Sequence, residues 1–343
     1  METLSLETLR QRGHDRFVIA DEADIGALRR AVGRFAERLR PGSGNGRGLA
    51  ELVAAELGTN LLRHAQPGGW VLARPVPPAG IELIAVDRGP GIAELPAAPP
   101  AGRTPGRPGL GSGLAAVRRA ASSFDLHTEP GAGTAVAVVV DLDGAAARAP
   151  RSWAGISVGI TEVCGDGWAV AELDDGLVVA VVDGLGHGPK ASVAADAALA
   201  ACAADPGDLV GFPGRANAAM RATRGGAVAV CRIHPDRGEL HHVAIGNVNG
   251  RVVAGGEQRG LAFHSGTLGL SATPRRATPS SYPWPPGATL VLWTDGLGSR
   301  IDLSTMDDVL THDPAVVAAT LHRDHSRDRD DATVVVVRHP ERP

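Results

Sequence analysis

The chain has 343 residues, of which 43% are hydrophobic and only 3% aromatic, so its length suits two domains with cores of Ala, Val and Leu. The formal net charge of −4 gives no electrostatic footprint for nucleic acid, and three cysteines without paired or metal-ligand spacing favour a reducing compartment. The first residues contain no apolar signal core, and no stretch is long and apolar enough for a membrane span. We therefore expect a soluble cytoplasmic protein that has neither a nucleic-acid nor a membrane partner.

The first half begins with two predicted amphipathic helices. Apolar residues recur at helical spacing over Asp24–Leu39, and the glycine-rich stretch Pro41–Gly48 predicts a loop before a second helix that begins near Leu49. On this second helix Glu56 and Asn60 are four residues apart, so they lie one above the other on a face separate from the apolar stripe. Taken alone, such a pair is more often just a solvated helix face.

Two short strands follow, over Trp70–Arg74 and Ile81–Val86, and the second ends at Asp87 in the stretch DRGPGI. A carboxylate at a strand end, followed by glycines, can face the edge of a flat ligand. The next segment, Ala93–Gly109, is so rich in proline and glycine that it predicts either a lid or a slack connector.

Two more glycine-rich turns complete this half. GLGSGL precedes a predicted helix over Ala115–Ala121, and PGAGT precedes a closing strand over Ala135–Asp141. Glycines before a helix expose free amides and the positive end of the helix dipole, an arrangement that suits phosphate.

The order of these motifs resembles the GHKL ATPase superfamily over roughly Val18–Val140, and ELGTN, DRGPGI and GLGSGLAAVRR are most similar to RsbT-type anti-sigma regulatory serine kinases. The resemblance implies an α/β sandwich of the GHKL (Bergerat) type that binds ATP with Mg²⁺. It assigns Mg²⁺ to Asn60, adenine to Asp87 with help from Thr134, and the role of general base to Glu56. It also assigns nucleotide binding to glycines of the turns: Gly89, Gly91, Gly109, Gly111 and Gly113.

A short Ala/Pro/Arg stretch, DLDGAAARAPRS, predicts a domain boundary. It gives a first domain over residues 1–142, a linker over 143–153 and a second domain over 154–343. The second domain contains VVAVVDGLGHGPKA, which predicts a buried strand ending at Asp183, a glycine-rich turn and an alanine-rich helix. Considered alone, this stretch is equally consistent with a tight strand-to-helix turn capped by an aspartate.

Three more aspartates, Asp166, Asp295 and Asp330, stand at the ends of other predicted strands. If the fold gathers them around Asp183, their mutual repulsion requires cations, and ligation by oxygen alone favours Mg²⁺ or Mn²⁺ over Zn²⁺. Two such ions can share a hydroxide and polarise a phosphate.

CGDGW, VVDGLGHGPKA, LVLWTDGL and RDDATVVVV resemble the metal-dependent PPM-type serine/threonine phosphatases over roughly Ile156–Arg338, and are most similar to the SpoIIE group and its short RsbX-type members. The resemblance implies an αββα sandwich, and hence an α/β (α+β) fold class for the chain. It implies that Asp183 bridges two metals, that the Gly184 carbonyl binds one of them and that Asp295 and Asp330 bind the other. Asp166 is expected close by, Asp331 in a supporting position, and His187 outside the ligand set.

The two resemblances together predict a bifunctional regulator. One domain would phosphorylate, and the other dephosphorylate, Ser or Thr of a STAS-domain anti-sigma antagonist or a stressosome-type scaffold, and so control sigma-factor partner switching. Because opposed activities would waste ATP, we hypothesise that nucleotide or partner binding selects which site is used. Two alternatives remain, namely an ATP-binding clamp without kinase activity fused to the phosphatase, and a phosphatase for small molecules. The sequence predicts no oligomeric state.

Overall fold

A computed structural model describes residues 10–11, 13–66, 68–92, 112–144, 151–271 and 277–339. The chain forms two compact units, an N-terminal unit of residues 14–150 and a C-terminal unit of residues 1–13 and 151–343. The change of unit at Arg151 falls inside the stretch predicted as the linker. The division differs from the predicted one at the start of the chain, because strand β1 (Arg10–Gln11) pairs with Trp168 and Ala169 of the C-terminal unit.

The described part of the N-terminal unit contains three helices and five strands, and the strands form one sheet. In chain order these elements are β2 (Asp15–Ile19), α1 (Glu22–Leu39), α2 (Gly44–His64), β3 (Gly69–Val76), β4 (Gly80–Asp87), α3 (Ser112–Ala120), β5 (Ser123–Glu129) and β6 (Gly133–Asp141). The sheet is antiparallel in the order β2-β3-β4-β6-β5.

The core of this unit lies between one face of the sheet and the helices. Alternate residues of β4, such as Ile81 and Leu83, pack in the same apolar cluster as Val32 of α1 and Leu57 of α2. Helix α1 begins with a capping box in which Asp21 and Asp24 satisfy each other's backbone amides, together with that of Ala23. The result is the predicted α/β sandwich.

Helix α2 begins at Gly44, five residues before the predicted start, so the prediction of a loop through Gly48 was wrong. Glycine has low helix propensity, but a Cβ at Gly46 would collide with the backbone of Leu142. Close packing against the end of the sheet therefore accounts for a glycine in this first turn of the helix.

The C-terminal unit contains two antiparallel sheets with helices on their outer faces. Its elements after β1 are β7 (Trp153–Val158), β8 (Gly167–Leu173), β9 (Gly176–Gly184), α4 (Pro189–Ala204), α5 (Phe212–Met220), β10 (Gly226–His234), β11 (Glu239–Ile245), β12 (Asn249–Ala254), β13 (Glu257–Gly260), β14 (Ser280–Pro283), β15 (Thr289–Trp293), α6 (Asp307–Thr311), α7 (Pro314–His325) and β16 (Ala332–Arg338). One sheet has the order β1-β8-β9-β10-β11-β14, and the other has the order β13-β12-β15-β16-β7.

Strand β9 shows how the two layers of core are built. Its residues Val178, Ala180 and Val182 pack with helices α4 and α5, whereas Val179 and Val181 pack with the second sheet. Helix α7 covers β7 and β16 on the opposite side. This arrangement is an αββα sandwich, which confirms the predicted fold class. Among the helices in the described residues, none is long and apolar enough to cross a lipid bilayer.

Candidate metal and nucleotide sites

The four aspartates predicted as metal ligands come from strand ends that meet at one edge of the C-terminal sandwich. The pairing of β8 with β9, continued by one residue, brings Asp166 opposite Asp183. The pairing of β15 with β16 brings Asp295, which follows β15, towards Asp330, which precedes β16. Asp183 has the same side-chain parity as Val179 and therefore points into the space between the two sheets.

The pKa values of Asp183 and Asp166 are raised by burial and by the charges of the neighbouring carboxylates. Burial, together with the smaller effect of the charges of Asp166, Asp295 and Asp330, raises the pKa of Asp183 to about 9. Burial likewise raises the pKa of Asp166 to about 7, against the opposing effect of a hydrogen bond from Thr294. The carboxylates cannot all be ionised in this space without a bound cation. Their oxygen-only chemistry fits a hard divalent ion.

Hydrogen bonds from neighbouring side chains orient two of these carboxylates, Asp166 and Asp295. The Thr294 hydroxyl donates to Asp166 Oδ2 over 2.7 Å and accepts from the Thr333 amide over 2.9 Å. The side-chain amide of Asn247 donates to Asp295 Oδ2 over 2.6 Å. Partners of this kind hold a ligand carboxylate in the orientation that a metal requires.

Asp331 holds the loop after β7 against this cluster. It accepts from the Ile160 amide over 2.8 Å and from the Gly165 amide, and its own amide donates to Asp330 Oδ1 over 2.9 Å. Its carboxylate oxygens are therefore occupied by backbone donors, as suits the supporting position predicted for it.

Two glycines permit the close approach of these loops. A Cβ at Gly184 would collide with the Ala191 carbonyl and lie 2.7 Å from the Gly165 carbonyl. A Cβ at Gly296 would collide with the Asp331 carbonyl. His187, in the turn after Gly184, is exposed to solvent.

In the N-terminal unit, a cavity of about 200 Å³ lies between α2 and the sheet. It includes three of the predicted nucleotide-binding side chains, Asn60, Asp87 and Thr134, as well as Gly91. Its walls are otherwise mainly apolar: Leu57, Leu61, Ala65, Ala85, Ile92, Leu114 and Val136. An apolar cavity with a few polar groups is the usual form of a small-molecule site.

The polar groups of this cavity have different surroundings. Asp87 accepts from the Gly89 amide over 2.8 Å, and the Thr134 hydroxyl lies 3.0 Å from the hydroxyl of Thr128. The side-chain amide nitrogen of Asn60 is buried without a hydrogen-bond partner. A buried amide left in this state is a candidate for binding an absent ligand.

Glycines let the predicted glycine-rich turns pack closely around the cavity, because a side chain at these positions would collide with neighbouring residues. A Cβ at Gly113, near the start of α3, would lie 2.5 Å from Glu56 Oε2 and 3.4 Å from Asn60 Oδ1. Gly91 has φ +70, and a Cβ there would collide with the carbonyl of Glu129. Gly109 and Gly111, also predicted to bind nucleotide, lie outside the described residues.

Sequence reasoning did not identify Asn247, Thr294, Thr128 or His64 as site residues. Thr294 belongs to the quoted motif LVLWTDGL, but only the strand register shows which carboxylates Thr294 and Asn247 contact. Thr128 lies on β5, a strand that was not predicted. His64 lines the nucleotide cavity one turn beyond Asn60, at a spacing of four that could have revealed it.

Comparison with known proteins agrees with this architecture. Residues 18–140 match the family described as "Histidine kinase-like ATPase domain", and residues 173–340 match "Stage II sporulation protein E (SpoIIE)". The N-terminal unit is therefore similar to the GHKL-like ATPases and the C-terminal unit to the SpoIIE-type PPM phosphatases, which confirms both predicted resemblances. No curated protein matches the sequence significantly.

Several solved structures resemble part of the chain. One, from work on the bacterial stressosome as a modular system that controls secondary messenger signalling, is 23% identical over 55% of this chain and 98% of its own, with a TM-score of 0.50. RsbX in complex with magnesium is 22% identical over 54% and 92%, with a TM-score of 0.47. The Mycobacterium tuberculosis serine/threonine phosphatase PstP is 18% identical over 55% and 98%, with a TM-score of 0.43. At these identities the likeness concerns the fold alone.

Proposed function

We propose that the C-terminal unit is a metal-dependent phosphatase that removes phosphate from Ser or Thr of a protein. The observation that carries this proposal is the convergence of Asp166, Asp183, Asp295 and Asp330, where burial and the neighbouring negative charges together raise the pKa of Asp183 to about 9. A cluster that is so unfavourable without a cation, and that offers only oxygen donors, fits Mg²⁺ or Mn²⁺.

Each residue has a specific role in this proposal. Asp183 would bridge two ions, the Gly184 carbonyl would bind one of them, and Asp295 and Asp330 would bind the other. Asp166 is oriented by the Thr294 hydroxyl and lies beside Asp183, so it is the fourth carboxylate of the acidic cluster. When bound, such a pair of ions polarises the phosphoryl group and lowers the pKa of a water molecule.

Hydrolysis of p-nitrophenyl phosphate tests this function most directly. We expect wild-type activity that requires Mn²⁺ and a loss of at least about a hundredfold in Asp183→Asn, because a bridging carboxylate is removed. Calorimetric titration with Mn²⁺ measures binding independently of turnover. A wild-type protein that binds no Mn²⁺ would contradict the proposal, whatever its substrate.

For the N-terminal unit we propose an ATP-dependent serine/threonine kinase. Asn60 would bind Mg²⁺, while Asp87 and Thr134 would bind adenine; all three residues line the cavity. Glu56 lies one turn before Asn60 on α2 and faces Gly113 near the start of α3; it would accept the proton of the target hydroxyl. Phosphoryl transfer depends chiefly on positioning and on charge neutralisation, which Mg²⁺ would supply when bound, and it also needs a carboxylate such as Glu56 one helical turn from the metal ligand.

Glu56→Ala distinguishes this kinase from a clamp that only binds ATP. With a purified STAS-domain protein and γ-labelled ATP, the kinase reading predicts labelling by the wild type and at least a hundredfold less by the variant, with ATP affinity retained. ATP binding by the wild type without labelling would favour the clamp. Asp87→Asn, which alters the adenine contact, serves as the control that should weaken ATP binding itself.

We further propose a partner class and a mode of control. The similarity of both motif sets to regulators of sigma factors supports a STAS-domain antagonist or stressosome-type scaffold as the shared target, in the cytoplasm. Because simultaneous phosphorylation and dephosphorylation would waste ATP, nucleotide binding would reduce the phosphatase activity.

A further inference from the structure

Two exposed leucines and one arginine lie together beside the carboxylate cluster of the C-terminal unit. Leu185, two residues after Asp183, is 50% exposed, and Leu270 is 62% exposed. Arg224 is also exposed, and it forms no ion pair with any other described residue. Single exposed leucines are ordinary, but a group of them at the margin of a site marks a surface for interaction. Leu185, Arg224 and Leu270 are called the rim patch below.

Gly225 joins the members of the rim patch. Its carbonyl accepts a hydrogen bond from the Leu185 amide over 2.9 Å. A Cβ at Gly225 would lie 3.3 Å from Leu270 Cγ and would collide with the Leu268 carbonyl, so the two loops are in direct contact. Gly226 and Leu268 also exchange two backbone hydrogen bonds, of 3.1 and 2.9 Å.

The loop that presents Leu270 is fixed by a buried side chain. Asn217 is only 1% exposed; its side chain donates to the Ser271 carbonyl over 3.1 Å and accepts from the Gly269 amide over 2.9 Å. These bonds hold the two neighbours of Leu270 on either side. An exposed leucine held in place in this way remains hydrated until a partner covers it, and its binding requires little further loss of backbone entropy.

Arg224 directs a positive charge towards the same turn. A Cβ at Gly186, three residues after Asp183, would lie 3.0 Å from Arg224 Nη1, and Gly186 has φ +82. The carbonyl of Gly186 in turn lies 3.2 Å from the Cβ position of Gly165, in the loop that Asp331 fixes. The guanidinium therefore lies at the margin of the acidic cluster, where it can meet a phosphoryl dianion.

We propose that the rim patch binds the polypeptide around a phosphorylated Ser or Thr, with an apolar side chain of the substrate against Leu185 and Leu270 and a phosphoryl oxygen near Arg224. This inference rests on the proposed phosphatase function and narrows its substrate class. A small phosphorylated metabolite could use Arg224 but would leave both leucines uncovered. The preferred substrate is thus a protein phosphosite with an apolar residue beside it.

The test compares p-nitrophenyl phosphate with two phosphoserine peptides of equal charge, one with leucines flanking the phosphoserine and one with glycines in their place. We expect wild-type kcat/KM to be about tenfold higher for the leucine peptide, as expected for covering one apolar side chain. Leu270→Ser should reduce this preference to about twofold or less without changing hydrolysis of p-nitrophenyl phosphate. Leu270→Met, which keeps an apolar side chain, should retain the preference. Val210→Ser should retain it as well; this control removes an apolar side chain that is 73% exposed outside the patch.

The outcomes separate the patch from the phosphatase activity itself. Mn²⁺-dependent hydrolysis of p-nitrophenyl phosphate with equal wild-type rates on both peptides would overturn the rim patch and leave the phosphatase standing. Absence of hydrolysis of all three substrates and of Mn²⁺ binding would overturn the proposed function as well. An equal loss on all substrates in Leu270→Ser would also contradict the proposal, because the residue would then act on the chemistry or the fold rather than on peptide binding.

Arg224→Gln tests the charged member of the patch. Since all three substrates contain the phosphoryl dianion, KM should rise by about three- to tenfold for each, while the preference for leucine is retained. An unchanged KM for p-nitrophenyl phosphate would remove Arg224 from the proposal.

Discussion

Hydrogen bonds from neighbouring side chains orient the carboxylates of the acidic cluster, and Asn247 is more exposed than Thr294, the other such donor. Its amide is a 2.6 Å donor to Asp295 Oδ2. Asn247→Ala should weaken Mn²⁺ binding by about tenfold, because an outer partner of a ligand carboxylate is lost, with little effect on folding. Gln258→Ala is a matched control, since Gln258 donates to Asp302 over the same 2.6 Å elsewhere in the unit. Equal Mn²⁺ affinities of the two variants by calorimetry would show that Asn247 does not position Asp295.

His242 on β11 determines part of the response to acid. Burial lowers its pKa to about 4, the neighbouring charge of His264 acts in the same direction, and the backbone at Ala262 opposes them. Because the unfolded chain binds this proton near pH 6.5 and the folded chain does not, stability is complete above that pH and declines as pH falls towards 4. The loss at His242 should reach about 2 kcal/mol at pH 5.

Replacement of the imidazole by an amide isolates this contribution. In His242→Gln the decrease in unfolding free energy between about pH 7.5 and about pH 5 should be smaller by about 2 kcal/mol than in the wild type. Denaturant unfolding followed by tryptophan fluorescence suits the measurement, because four of the five tryptophans belong to the C-terminal unit. The same pH dependence in both proteins would exclude His242 as the cause.

At the scale of elements, sequence periodicity predicted the helices and strands whose formation depends on a local pattern of apolar residues. Helices α1 and α4 were confirmed, because apolar spacing and turn residues determine them. Helix α7 and strand β5 were not predicted; α7 is buried on almost every side, so it has no polar stripe to reveal its period. The carboxylates of the metal site could be named from their strand ends, whereas Asn247 required the register between β12 and β15.

Two of the three glycines near the start of α2, Gly46 and Gly48, provide a test of packing against helix propensity. Gly46→Ala should destabilise the N-terminal unit by about 2 kcal/mol, because its methyl group would meet the Leu142 backbone. Gly48→Ala, where no atom lies within 4 Å of the added Cβ, should instead stabilise the helix by up to about 1 kcal/mol. Unfolding free energies of the two variants give the comparison. Stabilisation by both substitutions would show that helix propensity, rather than contact with Leu142, governs this turn.

At the scale of the whole molecule, the chain joins two sites whose proposed reactions oppose each other. Running both on one target would hydrolyse ATP with no net change in the target, so the proposed control by nucleotide follows from the fusion itself. The sequence order of the motifs was sufficient to identify both units, because each family motif lies within a short segment. Their coupling concerns two distant segments, and no local pattern encodes it.

A non-hydrolysable ATP analogue tests this coupling without kinase turnover. With Mn²⁺ present, the analogue should lower the rate of p-nitrophenyl phosphate hydrolysis by at least about threefold, which corresponds to a coupling free energy of about 0.7 kcal/mol. Asn60→Ala should abolish this response but retain the basal hydrolysis rate, because it removes the proposed Mg²⁺ ligand of the other unit. Binding of the analogue with no change in hydrolysis would contradict control by nucleotide alone. Control by binding of the protein partner would then be the hypothesis to test. A response that persists in Asn60→Ala would instead indicate that the analogue acts at the phosphatase site, where its phosphates compete for the metals.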